Sequence, residues 1–194
     1  MKFTYLPGQT PIDPDEAAGL IPQHVTTMAQ LNEVEAANIA EAVIWLQSNK
    51  SIDPLSSISL RALHQKMLSQ VWKWAGDYRR SDKNIGVQWH EISRYVEEFV
   101  RDVAYQIKEK AYPPDELAAR YHHRLVSIHP FPNGNGRHSR MAADILLTKV
   151  LGQPAFTWGA ANLVQRGPVR DSYIAALVAA NARDIKPLLQ FVRS

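Results

Sequence analysis

The chain has 194 residues, 45% of them hydrophobic and 21% charged, a composition typical of one globular domain with a substantial core. Its 22 Lys and Arg against 19 Asp and Glu give a net charge of +3 without a concentrated basic run, so we expect no direct nucleic-acid binding. The absence of cysteine excludes disulfides, thiol catalysis and cysteine-based zinc sites. The N-terminus lacks a signal-peptide pattern, and no apolar run approaches the roughly 18 residues of a membrane span, which predicts a cytoplasmic protein without membrane contact.

The N-terminal quarter of the chain divides into an arm and a helix. Residues 1–25 are rich in Pro and Gly and predict an extended, loop-rich arm. From Met28 to about Gln47, apolar residues recur at the helical period and predict a helix. Glu35 lies inside the apolar stripe of this helix, so its carboxylate should face the core and need a cation, most naturally an Arg. A partly exposed edge position, or an ion pair without catalytic meaning, is an equally good interpretation.

The remainder of the chain predicts an all-α fold. Apolar spacing and helix-capping residues predict helices over 59–74, 91–110, 115–128, 141–151, 170–181 and 185–192, with a loop or short helix over 160–167. Trp72, Trp74 and Tyr78 form an aromatic cluster that favours packing over base stacking.

The polar segment from Arg79 to Trp89 precedes the second of these helices. It alternates from Asn84 onward, which predicts a small β-hairpin or an extended flap. An exposed strand edge there would pair with an extended segment of a target protein. An ordinary surface loop is about as good an interpretation of the same residues.

The segment from His129 to Arg140 reads His-Pro-Phe-Pro-Asn-Gly-Asn-Gly-Arg-His-Ser-Arg and has the composition of a reaction centre. Its Pro and Gly residues predict a tight loop that leads into a helix N-terminus, which attracts phosphate through unpaired N–H groups and the helix dipole. Arg137 and Arg140 can project from the first turn of that helix, and His129 precedes it as a base of suitable pKa. No P-loop sequence competes as the phosphate motif. A metal site built on His122 and His129 is disfavoured because no third ligand lies at short spacing.

These twelve residues match every fixed position of the pattern HPFx(D/E/N)GNGRxxR, so the chain resembles the Fic (filamentation induced by cAMP) family. The resemblance extends over about residues 55–194, and the full chain is similar to the short Fic proteins called mobile mystery protein B. It implies a Fic-type helical bundle with a small β-hairpin flap. On this basis we expect an N-terminal arm over 1–25, a helix with a possible inhibitory role over 26–50, and a Fic domain over 51–194.

The family resemblance also implies a reaction, namely transfer of AMP from ATP to a Ser, Thr or Tyr hydroxyl of a protein, with Mg²⁺ as cofactor. His129 would be the general base, and Arg137 and Arg140 would neutralise phosphate charge. The anion hole would comprise Gly134, Asn135 and Gly136, and the flap that docks the target would comprise Lys83, Asn84, Ile85, Gly86 and Val87. The subfamily resemblance alone implies a helix-turn-helix partner protein.

Two positions depart from the family pattern. Asn133 stands where most adenylylating members supply a carboxylate for Mg²⁺, and an amide oxygen brings no charge to the metal. Glu35 is a candidate for the family's inhibitory glutamate, although the residues around it match that pattern imperfectly, and we expect it to pair with Arg140. The alternatives are transfer of another nucleotide or phosphate group, removal of AMP, or a degenerate site in a toxin-like or regulatory binding protein.

Overall fold

The computed structural model describes residues 10–48, 52–160, 163 and 167–194, and in this part of the chain the fold is all-α. The described residues form eight α-helices: α1 (Pro14–Ala17), α2 (Met28–Ser48), α3 (Ser57–Leu68), α4 (Ile92–Lys108), α5 (Pro114–Ile128), α6 (Asn135–Ile145), α7 (Pro168–Asn181) and α8 (Lys186–Val192). A π-helical turn over Leu146–Val150 continues α6, and short 3₁₀ turns lie at Trp89–Glu91 and Trp158–Ala160. None of the described helices has the length and apolarity needed to cross a membrane.

Helices α5 and α6 form the centre of the bundle. They pack against each other, α3 and α4 cover one side, and α8 contacts α5 and packs against α7. The amphipathic pattern explains the arrangement of α4, which buries Val96, Phe99 and Val103 and leaves its charged residues in solvent. The two central helices are joined by the residues of the predicted reaction centre, so that loop is held by the most buried part of the fold.

The helices predicted from apolar spacing are present, and α2, α4, α5, α7 and α8 begin and end within about two residues of the predicted positions. Helix α3 ends at Leu68, six residues before the predicted end at Trp74, because the chain turns at Ser69. Helix α6 starts at Asn135, before the two arginines expected near its start, and the predicted continuation from Met141 onward is α-helical to Ile145 and π-helical over Leu146–Val150. Of the loop predicted over 160–167, residues 161–162 and 164–166 lie outside the described residues.

The arm predicted over 1–25 is mostly loop and turn in its described part, but it contains one short helix. Pro14 occupies the first helical position of the one-turn helix α1, and Glu16 caps this helix by accepting a hydrogen bond from the Asp13 backbone N–H at 2.9 Å. The arm then pairs with the segment after α3, where Leu20 and Trp72 form an isolated antiparallel bridge. The arm is therefore docked on the body of the fold. Residues 1–9 lie outside the described part.

The β-hairpin predicted between Arg79 and Trp89 is also wrong, since no strand forms in the described residues of the chain. The segment is an irregular loop whose backbone groups are bonded to partners other than each other. The Arg79 guanidinium takes the carbonyls of Ser81 and Val87, and the Val87 N–H donates to the Ile128 carbonyl at 3.3 Å. These bonds remove the backbone partners that a hairpin ladder would need. The loop over 80–88 is called the flap below.

Candidate active site

The loop between α5 and α6 is fixed by its own side chains. His129 ends α5 in the left-handed region at φ 54°, and Gly134 enters α6 at φ 78°. The Asn135 side chain closes the turn, accepting from the Phe131 N–H at 2.9 Å and donating to the Phe131 carbonyl at 2.8 Å. Phe131 is fully buried and stacks on His64 with ring centroids 3.7 Å apart. The loop is therefore rigid, and the amide of Asn135 is used for structure rather than for a ligand.

The first turn of α6 presents free backbone donors. Its first helical hydrogen bond runs from the His138 N–H to the Gly134 carbonyl, so the N–H groups of Asn135, Gly136 and Arg137 have no acceptor within the helix. These donors and the positive end of the helix dipole face one cavity of about 560 Å³. A side chain at Gly134 would place its Cβ 2.7 Å from Leu68 Cδ1, so this position requires glycine both for space and for its positive φ. Of the three residues predicted to form the anion hole, Asn135 and Gly136 have N–H groups without a helical acceptor, as does Arg137, whereas the Gly134 N–H donates to the Asn133 side chain. The backbone at 134–137 is called the cradle below.

His129 borders the same cavity with one ring nitrogen aimed into it. Its Nδ1 lies 3.3 Å from the Val126 carbonyl, which can only accept, so Nδ1 carries the proton. The unprotonated Nε2 then accepts a hydrogen bond from the Thr10 hydroxyl at 2.8 Å. Burial lowers the pKa of His129 to about 4, which keeps the ring neutral near pH 7. The geometry is that of a base holding a hydroxyl.

Glu35 faces the core as its position in α2 predicts, and its side chain is 2% exposed. Its expected partner is wrong, because Oε2 lies 2.7 Å from Arg137 Nη2 rather than beside Arg140. The other oxygen, Oε1, accepts from Trp72 Nε1 at 2.7 Å. The sequence could not choose between two arginines three residues apart, since both lie on the same side of α6 within its first two turns and the choice depends on how α2 is rotated. Trp72 is a site residue that sequence reasoning assigned to packing alone.

Arg140 lies at the other side of the cradle. Its guanidinium carbon is 5.4 Å from the centroid of the Tyr173 ring, a cation–π distance, and within the described residues it makes no ion pair. Tyr173 is buried and its hydroxyl hydrogen-bonds His122 Nε2 at 3.0 Å, so His122 serves the core between α5 and α7. Of the two motif arginines, Arg140 is thus the one without an ion pair among the described residues, although the Asp144 carboxylate one turn further along the helix interacts with its charge.

Arg79 anchors the flap to the loop before α6, a role that sequence reasoning missed. The side chain is fully buried, and Nε donates to the His129 carbonyl at 2.7 Å while Nη1 donates to the Ser81 carbonyl at 2.8 Å. Its backbone N–H donates to the Pro130 carbonyl at 2.9 Å. Burial lowers the pKa of this guanidinium, as expected for a cation satisfied mainly by carbonyls. The sequence carried a signal, since this Arg directly follows the aromatic cluster of Trp72, Trp74 and Tyr78 and directly precedes the flap.

The predicted flap residues are divided between two surroundings. Ile85 and Gly86 line the cavity beside His129, and Val87 is bonded to the end of α5. Lys83 points away from the cavity toward the N-terminal arm, where its ammonium meets the Asp13 and Glu16 carboxylates at 2.6 Å each. Asn84, between Lys83 and Ile85 in the chain, is exposed. The part of the flap that could contact a target is therefore covered on one side by the arm.

The donor set for Mg²⁺ is poor in this cavity. Asn133 lines it, but its side-chain oxygen already accepts from the Gly134 N–H. Glu35 is the only carboxylate lining the cavity in the described part of the chain, and both its oxygens are bonded. No group of three or more potential metal-ligating side chains occurs among the described residues. The protein by itself does not offer a charged oxygen to a divalent cation, so Mg²⁺ would have to be held chiefly by the phosphates of a nucleotide.

Sequence comparisons connect this geometry to known proteins. Residues 54–147 match the model of the Fic/DOC family. Protein adenylyltransferase fic-1 of Caenorhabditis elegans is 26% identical over 148 residues, which are 74% of this chain and 28% of the worm protein. Protein adenylyltransferase Fic of Drosophila melanogaster is 26% identical over 166 residues, 83% of this chain and 32% of the fly protein. The chain thus spans about a third or less of the length of these relatives.

Solved structures show the same fold. The N-terminal FIC domain of Bep8 from Bartonella sp. 1-1C superposes with a TM-score of 0.69 at 17% identity, covering 88% of each chain. BepC from Bartonella tribocorum, solved with bound AMPPNP, gives a TM-score of 0.68 at 14% identity and covers 93% of this chain and 97% of its own. At such identities the likeness establishes the fold alone. Residues 54–147 are thus similar to the Fic/DOC family, and the chain has the fold of these solved FIC domains.

Proposed function

We propose that this protein is an adenylyltransferase that transfers AMP from ATP to a Ser, Thr or Tyr hydroxyl of a protein. The observation that carries the proposal is the placement of three features in one cavity. They are a neutral His129 with an unprotonated Nε2, a helix N-terminus with three N–H groups that have no acceptor within the helix, and two arginines on the first two turns of that helix. A hydroxyl, a polyphosphate and a base would therefore meet at one place.

Each feature supplies one part of a nucleotidyl transfer. His129 accepts the proton of the attacking hydroxyl at Nε2, and its protonated Nδ1 stays on the Val126 carbonyl, so the ring does not need to rotate. The N–H groups at 135–137 bind the diphosphate that leaves, and Arg140 balances the charge that develops on it. Rigidity matters as much as charge, because the Asn135 clamp and the Arg79 anchor hold base and cradle at a fixed separation.

Mg²⁺ would enter with the nucleotide. When bound to the phosphates it would neutralise charge and orient the leaving group, and Asn133 would be its single donor from the protein after its oxygen leaves the Gly134 N–H. Because this amide ligand is uncharged, the affinity of the protein alone for Mg²⁺ should be low.

Glu35 would act as a restraint on this reaction. Its ion pair with Arg137 neutralises one of the two cations of the cradle and places a carboxylate where phosphate oxygens would lie. The helix that carries Glu35 is held in place by a separate contact. The Asn38 side chain accepts a hydrogen bond from the Gln70 N–H at 3.0 Å and so links α2 to the segment just after α3. Removing the carboxylate should therefore release Arg137 without displacing the helix.

The test is incubation of the purified chain, and of cell lysate, with α-labelled ATP, CTP, GTP or UTP. We expect ATP to label protein, Glu35→Gly to increase the label at least tenfold, and His129→Ala to remove it. Undiminished label in His129→Ala would overturn the mechanism. Label from another nucleotide in preference to ATP would move the function to that donor.

The donor set around Asn133 favours a second candidate, a regulatory protein that binds a nucleotide without transferring it. Two variants distinguish the candidates. If only Asn133→Asp labels protein, and the wild type binds ATP as tightly as Asn133→Asp does, the regulatory protein would be supported. Label in Glu35→Gly with Asn133 intact would exclude it.

A further inference from the structure

The N-terminal arm places a hydroxyl on the base of the active site. Thr10 is 8% exposed, and its Oγ1 lies 2.8 Å from His129 Nε2. Because His129 Nδ1 carries the ring proton, the Thr10 hydroxyl is the donor of this hydrogen bond. Thr10 lines the same cavity as the cradle at 134–137. Its hydroxyl thus occupies the position that the acceptor hydroxyl of a protein target would need.

The arm is held there by charges on the flap. The Asp13 carboxylate accepts from the Ser81 hydroxyl at 2.7 Å and pairs with the Lys83 ammonium at 2.6 Å. The side chain of Lys83 is 3% exposed and pairs also with Glu16, so the ammonium is shielded from water although the Asp13 side chain is 43% exposed. Lys83 and its neighbours therefore lower the pKa of the Asp13 carboxyl.

A second set of contacts continues beyond the flap. Trp74 Nε1 donates to the Glu16 carbonyl at 2.9 Å, and the Lys73 N–H donates to the Gly19 carbonyl at 2.9 Å. The arm is thus fixed from Asp13 to Ile21, and the flap receives it along the surface expected for a target protein. Because the arm is part of the same chain, the Thr10 hydroxyl is brought to the base without the loss of translational entropy that binding a separate protein requires.

We propose that Thr10 is an intramolecular acceptor, so that the enzyme adenylylates its own N-terminal arm. Thr10 Oγ1 attacks the α-phosphorus of ATP and forms the new phosphoester bond. The bond between that phosphorus and the bridging oxygen to the β-phosphate breaks, diphosphate leaves into the cradle, and the hydroxyl proton goes to His129 Nε2. The inference rests on the proposed function, since it uses the same base, cradle and nucleotide.

The test uses the full chain with Glu35→Gly as background, ATP labelled at the α-phosphate, and mass spectrometry of intact protein and peptides. We expect one AMP per chain, mapped to Thr10, with at least a tenfold loss in Thr10→Val and retention in Thr10→Ser. Thr148→Val is the matched control, because Thr148 is exposed at the far end of the motif helix and should label like the background. Label that maps elsewhere and persists undiminished in Thr10→Val would overturn the inference.

Two further measurements separate an intramolecular acceptor from an accidental one. The initial rate of labelling per chain should be unchanged over a tenfold dilution, whereas transfer between chains would slow about tenfold. Asp13→Asn, which weakens the docking of the arm without altering the cavity, should lower labelling of Thr10 severalfold. A rate proportional to protein concentration, or full labelling in Asp13→Asn, would contradict the inference.

Lysate proteins added to the same reactions distinguish this inference from the proposed function. Label on lysate proteins by Glu35→Gly, with none on Thr10, would remove Thr10 as acceptor and leave the adenylyltransferase intact. Absence of label on every protein and of diphosphate release, in all variants, would remove both.

Discussion

Replacing Glu35 by Gln separates the charge of this side chain from its shape. In the wild type Glu35 accepts from Trp72 Nε1 at 2.7 Å and pairs with Arg137 Nη2 at 2.7 Å. Gln keeps an acceptor for Trp72 and nearly the same volume, but it removes the charge that faces Arg137. Glu33→Gln is the matched control, because Glu33 is exposed on the same helix.

The magnitude follows from the burial of the pair. A hydrogen bond involving a charged group contributes about 1.5–3 kcal/mol. The Arg137 side chain is 18% exposed, so water relieves part of its loss, and we expect the free energy of unfolding to fall by about 2 kcal/mol. The same guanidinium becomes available to phosphate, and one such bond of about 1.5 kcal/mol should tighten ATP binding by about tenfold.

Stability and affinity should therefore move in opposite directions. Urea denaturation measures the first, and titration calorimetry with a non-hydrolysable ATP analogue measures the second. A loss of stability with nucleotide affinity unchanged within twofold would show that the ion pair is structural and that Arg137 does not reach the nucleotide. An equal gain of affinity in Glu33→Gln would assign the effect to the overall surface charge.

Three other predictions concern acid stability, the flap and the metal. Burial lowers the pKa of His129 and of His138 to about 4, so as pH falls the unfolded chain binds these two protons before the folded chain does. The free energy of unfolding that these two residues contribute should be fully present above about pH 6.5 and should decrease as the pH falls towards 4. Urea midpoints measured across that range should decrease less steeply in His138→Gln. Arg79→Lys should lower the free energy of unfolding by about 3–5 kcal/mol, because buried carbonyls lose their donors, and should make the flap sensitive to limited proteolysis. Arg80→Lys, at an exposed position, is the control and should change the free energy of unfolding by less than about 0.5 kcal/mol. Equal effects of the two substitutions would refute the role of Arg79 as an anchor. Asn133→Asp should lower the Mg²⁺ concentration for half-maximal labelling at least tenfold, and an unchanged metal profile would exclude position 133 as a ligand.

The motif was predictable because its chemistry is local. The glycines, the following arginines and the preceding His are neighbours in sequence, so a tight loop and a helix start bring base and cradle together without long-range information. The π-helical turn after α6 was not predictable from apolar spacing, which does not distinguish a π-turn from continued α-helix.

Long-range pairings escaped prediction for a different reason. Apolar spacing placed Glu35 correctly toward the core, but its partner depended on the rotation of α2 against α6, which spacing leaves undetermined. The flap was mispredicted for the same reason. Alternating residues from Asn84 onward form a strand only when the backbone groups of the flap are free to pair with another strand. The buried Arg79 guanidinium takes those carbonyls instead, and its position against them exists only in the folded chain.

The two contacts that close the site act on different reactants, and this predicts an order of events. In the proposed function, Glu35 pairs with a cation that the nucleotide needs, and in the inference above Thr10 occupies the base that an acceptor needs. Once Arg137 is released, ATP should therefore meet Thr10 before any other protein. An AMP on Thr10 removes the hydroxyl proton that bonds His129 and adds a negative charge, so the arm should leave the base and admit an external target. Labelling of lysate proteins by Glu35→Gly should therefore begin after a lag that ends as Thr10 is filled. The lag should be absent in Glu35→Gly with Thr10→Val, and an equal lag in both variants would show that the arm does not control access to His129.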